Sequence, residues 1–112
     1  MTNYIDLTGK HCQPCKNGDP ALSANAAGEL LKQLDGWTLQ EKTISKTFEF
    51  KNYYQTIAFV NATAWMTHRE DHHPDMALGY NTVRVDYTTH AIRGLSVNDF
   101  ICAAKVDALF EL

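Results

Sequence analysis

The chain is 112 residues long, 45% apolar and 21% charged, with a formal net charge of −3 and a pI near 5.9. That suffices for one domain with its own core, and it is too apolar and too mixed in charge for disorder. No run approaches the ~20 apolar residues that cross a bilayer, and an acidic chain without a Lys/Arg cluster does not suit charge-driven nucleic-acid binding.

Residues 1–22 read as an irregular lead-in, with Gly9, Pro14, Gly18 and Pro20 and no apolar periodicity. The start, Met1 to Asp6, has neither a basic stretch nor an apolar core, so no secretory leader is expected. Residues 23–112 read as a single domain. A first helix is expected after the cap Ser23, with Ala27, Leu30, Leu31 and Leu34 at helical spacing and Gly36 as the stop. From Trp37 the chain is expected to be extended. Ile44, Phe48 and Phe50 alternate with polar residues, and a turn near Gln40–Lys42 divides two strands.

Asn52 and Gln55 have the spacing of a capping box. The helix after them is expected to run towards His72, with Ile57, Ala58, Asn61, Ala64, Trp65, His68 and His72 roughly on one stripe, Trp65 in the core and His68 read first as a solvated or hydrogen-bonded helix residue. Phe59, Ala62 and Met66 widen that stripe, and Pro74 disfavours helix at His73. Two further strands follow, with a turn at Gly79–Asn81. Val83, Val85, Tyr87 and Thr89 share one face, and Thr82, Arg84, Asp86, Thr88 and His90 the other. A last helix starts after Ser96, with Asp99 completing a capping pair and Val97, Phe100, Ile101, Ala104 and Ala108 as its buried stripe.

The order α-β-β-α-β-β-α with hairpin-length connections predicts an α+β, two-layer domain. Its four-stranded antiparallel sheet carries three helices on one face. Such a sheet leaves edges open, and the strand Val83–Thr89, without proline, reads as one that invites pairing into a homo-oligomer.

Three side-chain groups carry candidate chemistry. His11-Cys12-Gln13-Pro14-Cys15 has a Cys-x-x-Cys pair, but structural zinc needs four ligands, and Cys102 in the last helix offers no second pair. With an odd cysteine count and no leader, a disulfide framework is not expected and the cytoplasm is the expected compartment. The Cys-x-x-Cys pair therefore reads as a non-essential surface feature and Cys102 as a core residue. His68 and His72, four apart on one helix, have the spacing of a zinc helix, with His90 as a third ligand. Arg69, however, occupies the position of the general base in the His-Glu-x-x-His motif. The third group is His72, His73 and His90, at a helix end and a strand end, where rigid elements present side chains to a pocket. Imidazoles titrating near neutrality can trade protons with a substrate, so metal-free acid–base chemistry is the most economical reading. Asp99 reads first as an acid favouring the dipole of its own helix.

Glu70-Asp71-His72-His73-Pro74-Asp75, Tyr80-Asn81, Thr88-Thr89-His90 and Gly94-Leu95-Ser96 with Asp99 are spaced in an order that resembles the pterin-4a-carbinolamine dehydratase family. The run Cys15 and Gly18-Asp19-Pro20-Ala21-Leu22 with Leu30-Leu31 and Leu34-Asp35-Gly36-Trp37 looks like its bacterial members. The resemblance covers about residues 12–110 and implies the fold derived above. It implies a dehydratase that removes water from a 4a-hydroxytetrahydropterin to give quinonoid dihydropterin, recycling the pterin of aromatic amino-acid hydroxylases such as phenylalanine hydroxylase. The pterin is then the substrate, and no cofactor or metal is implied. By the same resemblance His72 and His90 are catalytic, and His73, Pro74, Thr89, Ala91 and Ile92 bind substrate. Asp99 and His68 are further candidates, and a homodimer or homotetramer is implied. Animal members carry an acidic residue at the place of His68 and an aromatic one at Met76. A non-catalytic binding or regulatory partner on the same fold is the alternative.

Overall fold

The computed structural model describes residues 6–111; the Met1–Ile5 stretch on which the leader expectation partly rests lies outside them. Seven regular elements follow the expected order. They are α1 (Ala24–Leu31), β1 (Thr38–Gln40), β2 (Thr43–Glu49), α2 (Tyr53–Glu70), β3 (Asp75–Leu78), β4 (Thr82–Tyr87) and α3 (Val97–Phe110). Short 3-10 turns occupy Leu7–Gly9 and His90–Ile92.

Both hairpins form where the turn chemistry places them. Glu41 and Lys42 join β1 to β2, with Gln40 opposite Thr43 and Glu41 in the left-handed region at φ 56°. The sheet order is β1-β2-β4-β3, antiparallel throughout, with Ile44 opposite Tyr87 and Phe48 opposite Val83. β4 is thus an interior strand. The edge assigned to Val83–Thr89 belongs to β1 and β3 instead, because the second strand of each hairpin lies inward and β2 pairs with β4. The alternation holds: Ile44, Phe48, Val83, Val85 and Tyr87 are buried, while Thr47, Glu49 and Arg84 face out. Phe48 contacts the rings of Trp37, Phe59 and Phe110, joining sheet and helices in one aromatic cluster.

Helix starts are chemically plain. Ser23 Oγ accepts from Ala26 N–H at 3.1 Å, and Asn52 Oδ1 accepts from Gln55 N–H at 2.9 Å. Gln55 Oε1 does not complete the box on Asn52; it accepts from Lys51 N–H at 3.1 Å, one residue earlier. α1 ends at Leu31, before Gly36, whose φ of 83° instead turns the chain into β1.

The buried face of α2 differs from the expected stripe. It runs through Thr56, Phe59, Thr63 and Thr67, while Trp65 is 68% exposed and His68 lies at the surface. Threonine reads as polar, but its hydroxyl can fold back onto the helix and leave its methyl for packing. Thr56 Oγ1 donates to Asn52 O at 2.8 Å, and Thr67 Oγ1 to Ala64 O at 3.1 Å. α3 also departs from a simple stripe. Asn98 through Ala104 are all buried, whereas Val97 and Ala108 are exposed, because the helix packs against α1, α2 and the Leu7–Gly9 turn. The lead-in is drawn onto this helix, with Leu7 in the core and Lys105 Nζ donating to Thr8 O at 2.9 Å.

Candidate active site

α2 stops at Glu70, two residues short of His72. Asp71 takes a left-handed conformation (φ 53°, ψ 41°), and the amides of Asp71 and His72 close back onto His68 O and Thr67 O, each at 3.2 Å. This double closure ends the helix before Pro74 can. His72 and His73 therefore lie beyond the helix. The helical i, i+4 face that would have given His68 and His72 to zinc does not exist. Among the described residues no three His, Cys, Asp or Glu side chains converge on a metal-sized site.

The short extended step from His72 to Pro74 sends the two imidazoles to different surroundings. His72 is tucked in: its ring stacks on Tyr87, with centroids 5.4 Å apart and planes at 17°. Its carbonyl accepts from Tyr87 Oη–H at 3.4 Å. His72 Nε2 stands 2.6 Å from Asp99 Oδ1, and Nδ1 makes no hydrogen bond among the described residues. His73 is exposed.

Asp99 is completely buried, and its second oxygen is fully engaged. Oδ2 accepts from Ser96 N–H at 3.0 Å and from Thr89 Oγ1 at 2.8 Å, and Thr89 and Ser96 share a hydroxyl contact of 2.8 Å. The acid thus serves its own helix start, as its position suggested, and orients His72 as well. Two opposing influences act on His72. Burial lowers its pKa, but the hydrogen bond and negative charge of Asp99 outweigh burial and hold it above the ordinary 6.5.

His90 is not the last residue of a strand. β4 ends at Tyr87, and His90 opens the 3-10 turn His90–Ile92. The turn is closed by Arg93 in the left-handed region and by reciprocal bonds between Thr89 and Gly94. The backbone of Gly94 packs so closely on the lead-in that a Cβ there would stand 2.7 Å from Ala21 Cβ. This fixes the loop that carries His90.

A cavity of about 420 Å³ opens between these parts. His72, His73, Thr89, His90 and Ala91 line it, together with Thr88, Asp71 and Asn98. Its far wall is the lead-in itself, Cys12-Gln13-Pro14-Cys15. Pro74 and His68 belong instead to a neighbouring hollow of about 330 Å³ that His72 and His73 also border. Ile92 borders neither.

The Cys12–Cys15 pair is not a detached surface feature. Cys12 N–H donates to Glu70 Oε1 at 2.8 Å, His11 Nδ1 lies 2.9 Å from Glu70 Oε2, and Lys105 Nζ is 3.7 Å from the same oxygen. Burial opposes ionisation of Glu70, yet the bonds from Cys12 and His11 keep its carboxyl below the usual range. Cys12 Sγ lies 3.4 Å from Cys102 Sγ, so Cys102 is not without a thiol partner. Sequence reasoning missed Tyr87, Asn98 and the lead-in wall. Parity placed Tyr87 on the buried face but could not reveal its stacking partner. Nothing local marks the lead-in segment Cys12–Cys15 as the wall of a site assembled near residue 90.

The chain matches the profile of the family described as pterin 4 alpha carbinolamine dehydratase over residues 20–109. A protein of Nitrosomonas europaea, provisionally named a pterin-4-alpha-carbinolamine dehydratase, is 64% identical over 112 residues, covering 99% of both chains. One of Dechloromonas aromatica with the same provisional name is 49% identical over the full length of both. Among solved structures, a transcriptional coactivator/pterin dehydratase from Brucella melitensis superposes with a TM-score of 0.77 at 31% identity, covering 80% of this chain and 97% of that one. A pterin dehydratase-like protein identified as a RuBisCO assembly factor in the alpha-carboxysome gives 0.56 at 28% identity, covering 65% and 84%. With a profile spanning most of the chain and relatives matched end to end, this protein belongs to the pterin-4a-carbinolamine dehydratase family.

Proposed function

We propose that the chain is a hydro-lyase that removes water from a 4a-hydroxytetrahydropterin and yields the quinonoid dihydropterin. The observation that carries this reading is the His72 imidazole held at 2.6 Å by a buried Asp99, on the wall of a cavity that His73 and His90 also line. A cavity of about 420 Å³ suits a bicyclic ligand, since small-molecule sites run from ~300 to ~1,000 Å³.

Hydroxide leaves carbon 4a poorly, so its oxygen must receive a proton as the C4a–O bond breaks. The N5–H must lose a proton as the C4a=N5 bond forms. Asp99 favours the imidazolium of His72, and we assign His72 the acid role, acting through the free Nδ1. His90 takes the N5 proton. One acid and one base each contribute roughly 10²–10⁴ in rate. His73, exposed at the mouth, positions the pterin with Thr89 and Ala91. Two imidazoles meet the proton requirements of the elimination, so the mechanism needs no cofactor and no metal.

The product would return to aromatic amino-acid hydroxylases such as phenylalanine hydroxylase, in the cytoplasm. The open β1 and β3 edges favour a homodimer or homotetramer. Light scattering at micromolar concentration should therefore give at least twice the 12.6 kDa chain mass. The second reading, a binding or regulatory partner on this fold, draws on the neighbour identified as a RuBisCO assembly factor. The intact His72–Asp99 contact favours the enzyme over it.

The deciding experiment is stopped-flow dehydration of chemically generated 4a-hydroxytetrahydropterin, with and without protein, before and after chelator treatment. His72→Ala and His90→Ala should each lower turnover by about two orders of magnitude or more with unchanged circular dichroism. His73→Ala should mainly raise KM, as loss of uniform binding does. Near-normal turnover in His72→Ala would sink the assignment.

A further inference from the structure

The acid–base site leaves one reactive cluster unused. Cys12, on the lead-in, and Cys102, on α3, are ninety residues apart in sequence, yet their sulfurs stand 3.4 Å from each other. Cys102 is fully buried, while Cys12 is half-buried and borders the cavity. The backbone on both sides of the Cys12 side chain is pinned. Cys12 N–H is bound to Glu70, and the next residue, Gln13, is clamped by Asn98: its N–H donates to Asn98 Oδ1 at 3.0 Å, and its carbonyl accepts from Asn98 Nδ2 at 2.6 Å. Cys15, the partner that the Cys-x-x-Cys spacing suggests, is engaged elsewhere. Its sulfur accepts from Asn98 Nδ2 at 3.4 Å and reaches Gln13 O at 3.9 Å.

We propose that Cys12 and Cys102 form a redox-modification site, in which a hydroperoxide entering through the cavity converts the two thiols into a disulfide that ties the cavity wall to α3. The first step transfers one oxygen from the hydroperoxide to the sulfur of Cys12. The O–O bond breaks, Cys12 becomes a sulfenic acid, and the reduced peroxide leaves as an alcohol, or as water from hydrogen peroxide. The Cys102 sulfur then attacks the Cys12 sulfur. The S–S bond forms, the S–O bond breaks, and the hydroxide leaves as water with the proton from the Cys102 thiol. Two thiols are oxidised by two electrons, and one peroxide is reduced.

Both geometry and environment suit the second step. The sulfurs need to approach by only about 1.4 Å to reach bonding distance. A pair already held in contact reacts with the high effective concentration of an intramolecular partner. The contact between the sulfurs lowers the pKa of Cys102, against burial and aided by the nearby His72, while the same contact, burial and Glu70 raise that of Cys12, so the thiolate of the pair forms at Cys102, the attacking sulfur. The consequence reaches the proposed site directly, since the Cys102 thiol lies 3.7 Å from the carbonyl of His72.

The test needs no pterin and does not depend on the proposed activity. The full chain is treated with hydrogen peroxide, denatured, alkylated with N-ethylmaleimide and digested without reductant. A linked Cys12–Cys102 peptide should appear, with only Cys15 alkylated, and dithiothreitol should restore all three thiols. Cys15→Ser should leave the link unchanged. Cys12→Ser, at a half-buried position, should stay folded and lose it. A Cys12–Cys15 link, sulfinic acid at Cys12 with Cys102 still alkylatable, or three alkylatable thiols after peroxide would each overturn the proposal.

Discussion

Asp99 reaches His72 with one carboxylate oxygen and anchors the start of its own helix with the other: Oδ1 is 2.6 Å from His72 Nε2, and Oδ2 is 3.0 Å from Ser96 N. The orientation of the imidazole and the first turn of α3 are therefore secured by one side chain.

The pH dependence of His72 follows. Burial acts to lower its pKa, the Asp99 contact raises it more, and the net shift is upward from 6.5. A raised folded-state pKa means that protonated His72 favours the fold. That contribution is complete below about 6.5 and is lost as pH rises through the folded pKa. In Asp99→Asn the charge is gone and burial remains, so the His72 ring-proton titration followed by NMR should move to lower pH. An unmoved midpoint would show that Asp99 does not govern this imidazole.

The two tryptophans should behave as opposites. Trp65 is 68% exposed, and Trp37 is 6% exposed with Nε1 donating to Asp107 Oδ2 at 3.0 Å. Trp65→Ala should change stability by less than about 0.5 kcal/mol, and Trp37→Ala should cost about 3–5 kcal/mol in urea unfolding. Acrylamide should quench the fluorescence of Trp37→Phe strongly and that of Trp65→Phe weakly. Equal quenching would contradict the placement of α2.

Thr63 carries a buried hydroxyl with no hydrogen-bond partner among the described residues. Replacing it by the nearly isosteric valine removes a desolvated polar group and adds a methyl to the core. Thr63→Val should raise stability by on the order of 1 kcal/mol, read as a higher urea midpoint at unchanged m-value. A lower midpoint would mean that the hydroxyl is satisfied in solution.

Much of the fold was legible because local chemistry and tertiary packing agree. Ser23 and Asn52 cap where they stand, and the alternation around Ile44–Phe48 and Val83–Tyr87 matches the pleat. The errors arose where long-range contacts override local preference. Thr56, Thr63 and Thr67 pack as core residues on α2, and Trp65 does not. Asp71 ends that helix by a left-handed closure, a conformation that glycine signals and aspartate does not. His72, His73 and His90 stood out by residue type and position relative to Pro74 and the last strand. Asp99 read first as a helix acid and, by the resemblance, as a further candidate, but its contact with His72 spans 27 residues and had no local sign. The proximity of Cys12 to Cys102 had no local signature at all, and the Cys-x-x-Cys spacing pointed to the wrong neighbour.

Glu70 is both the last residue of α2 and the carboxylate that holds the amide of Cys12. One side of the cavity is therefore a length of irregular chain with little ladder of its own, moored to the point where the helix yields to His72 and His73. In amide hydrogen exchange this couples two distant stretches. The Cys12 amide should be protected to the same degree as the final turn of α2, and fraying of that turn should open the cavity wall in the same event.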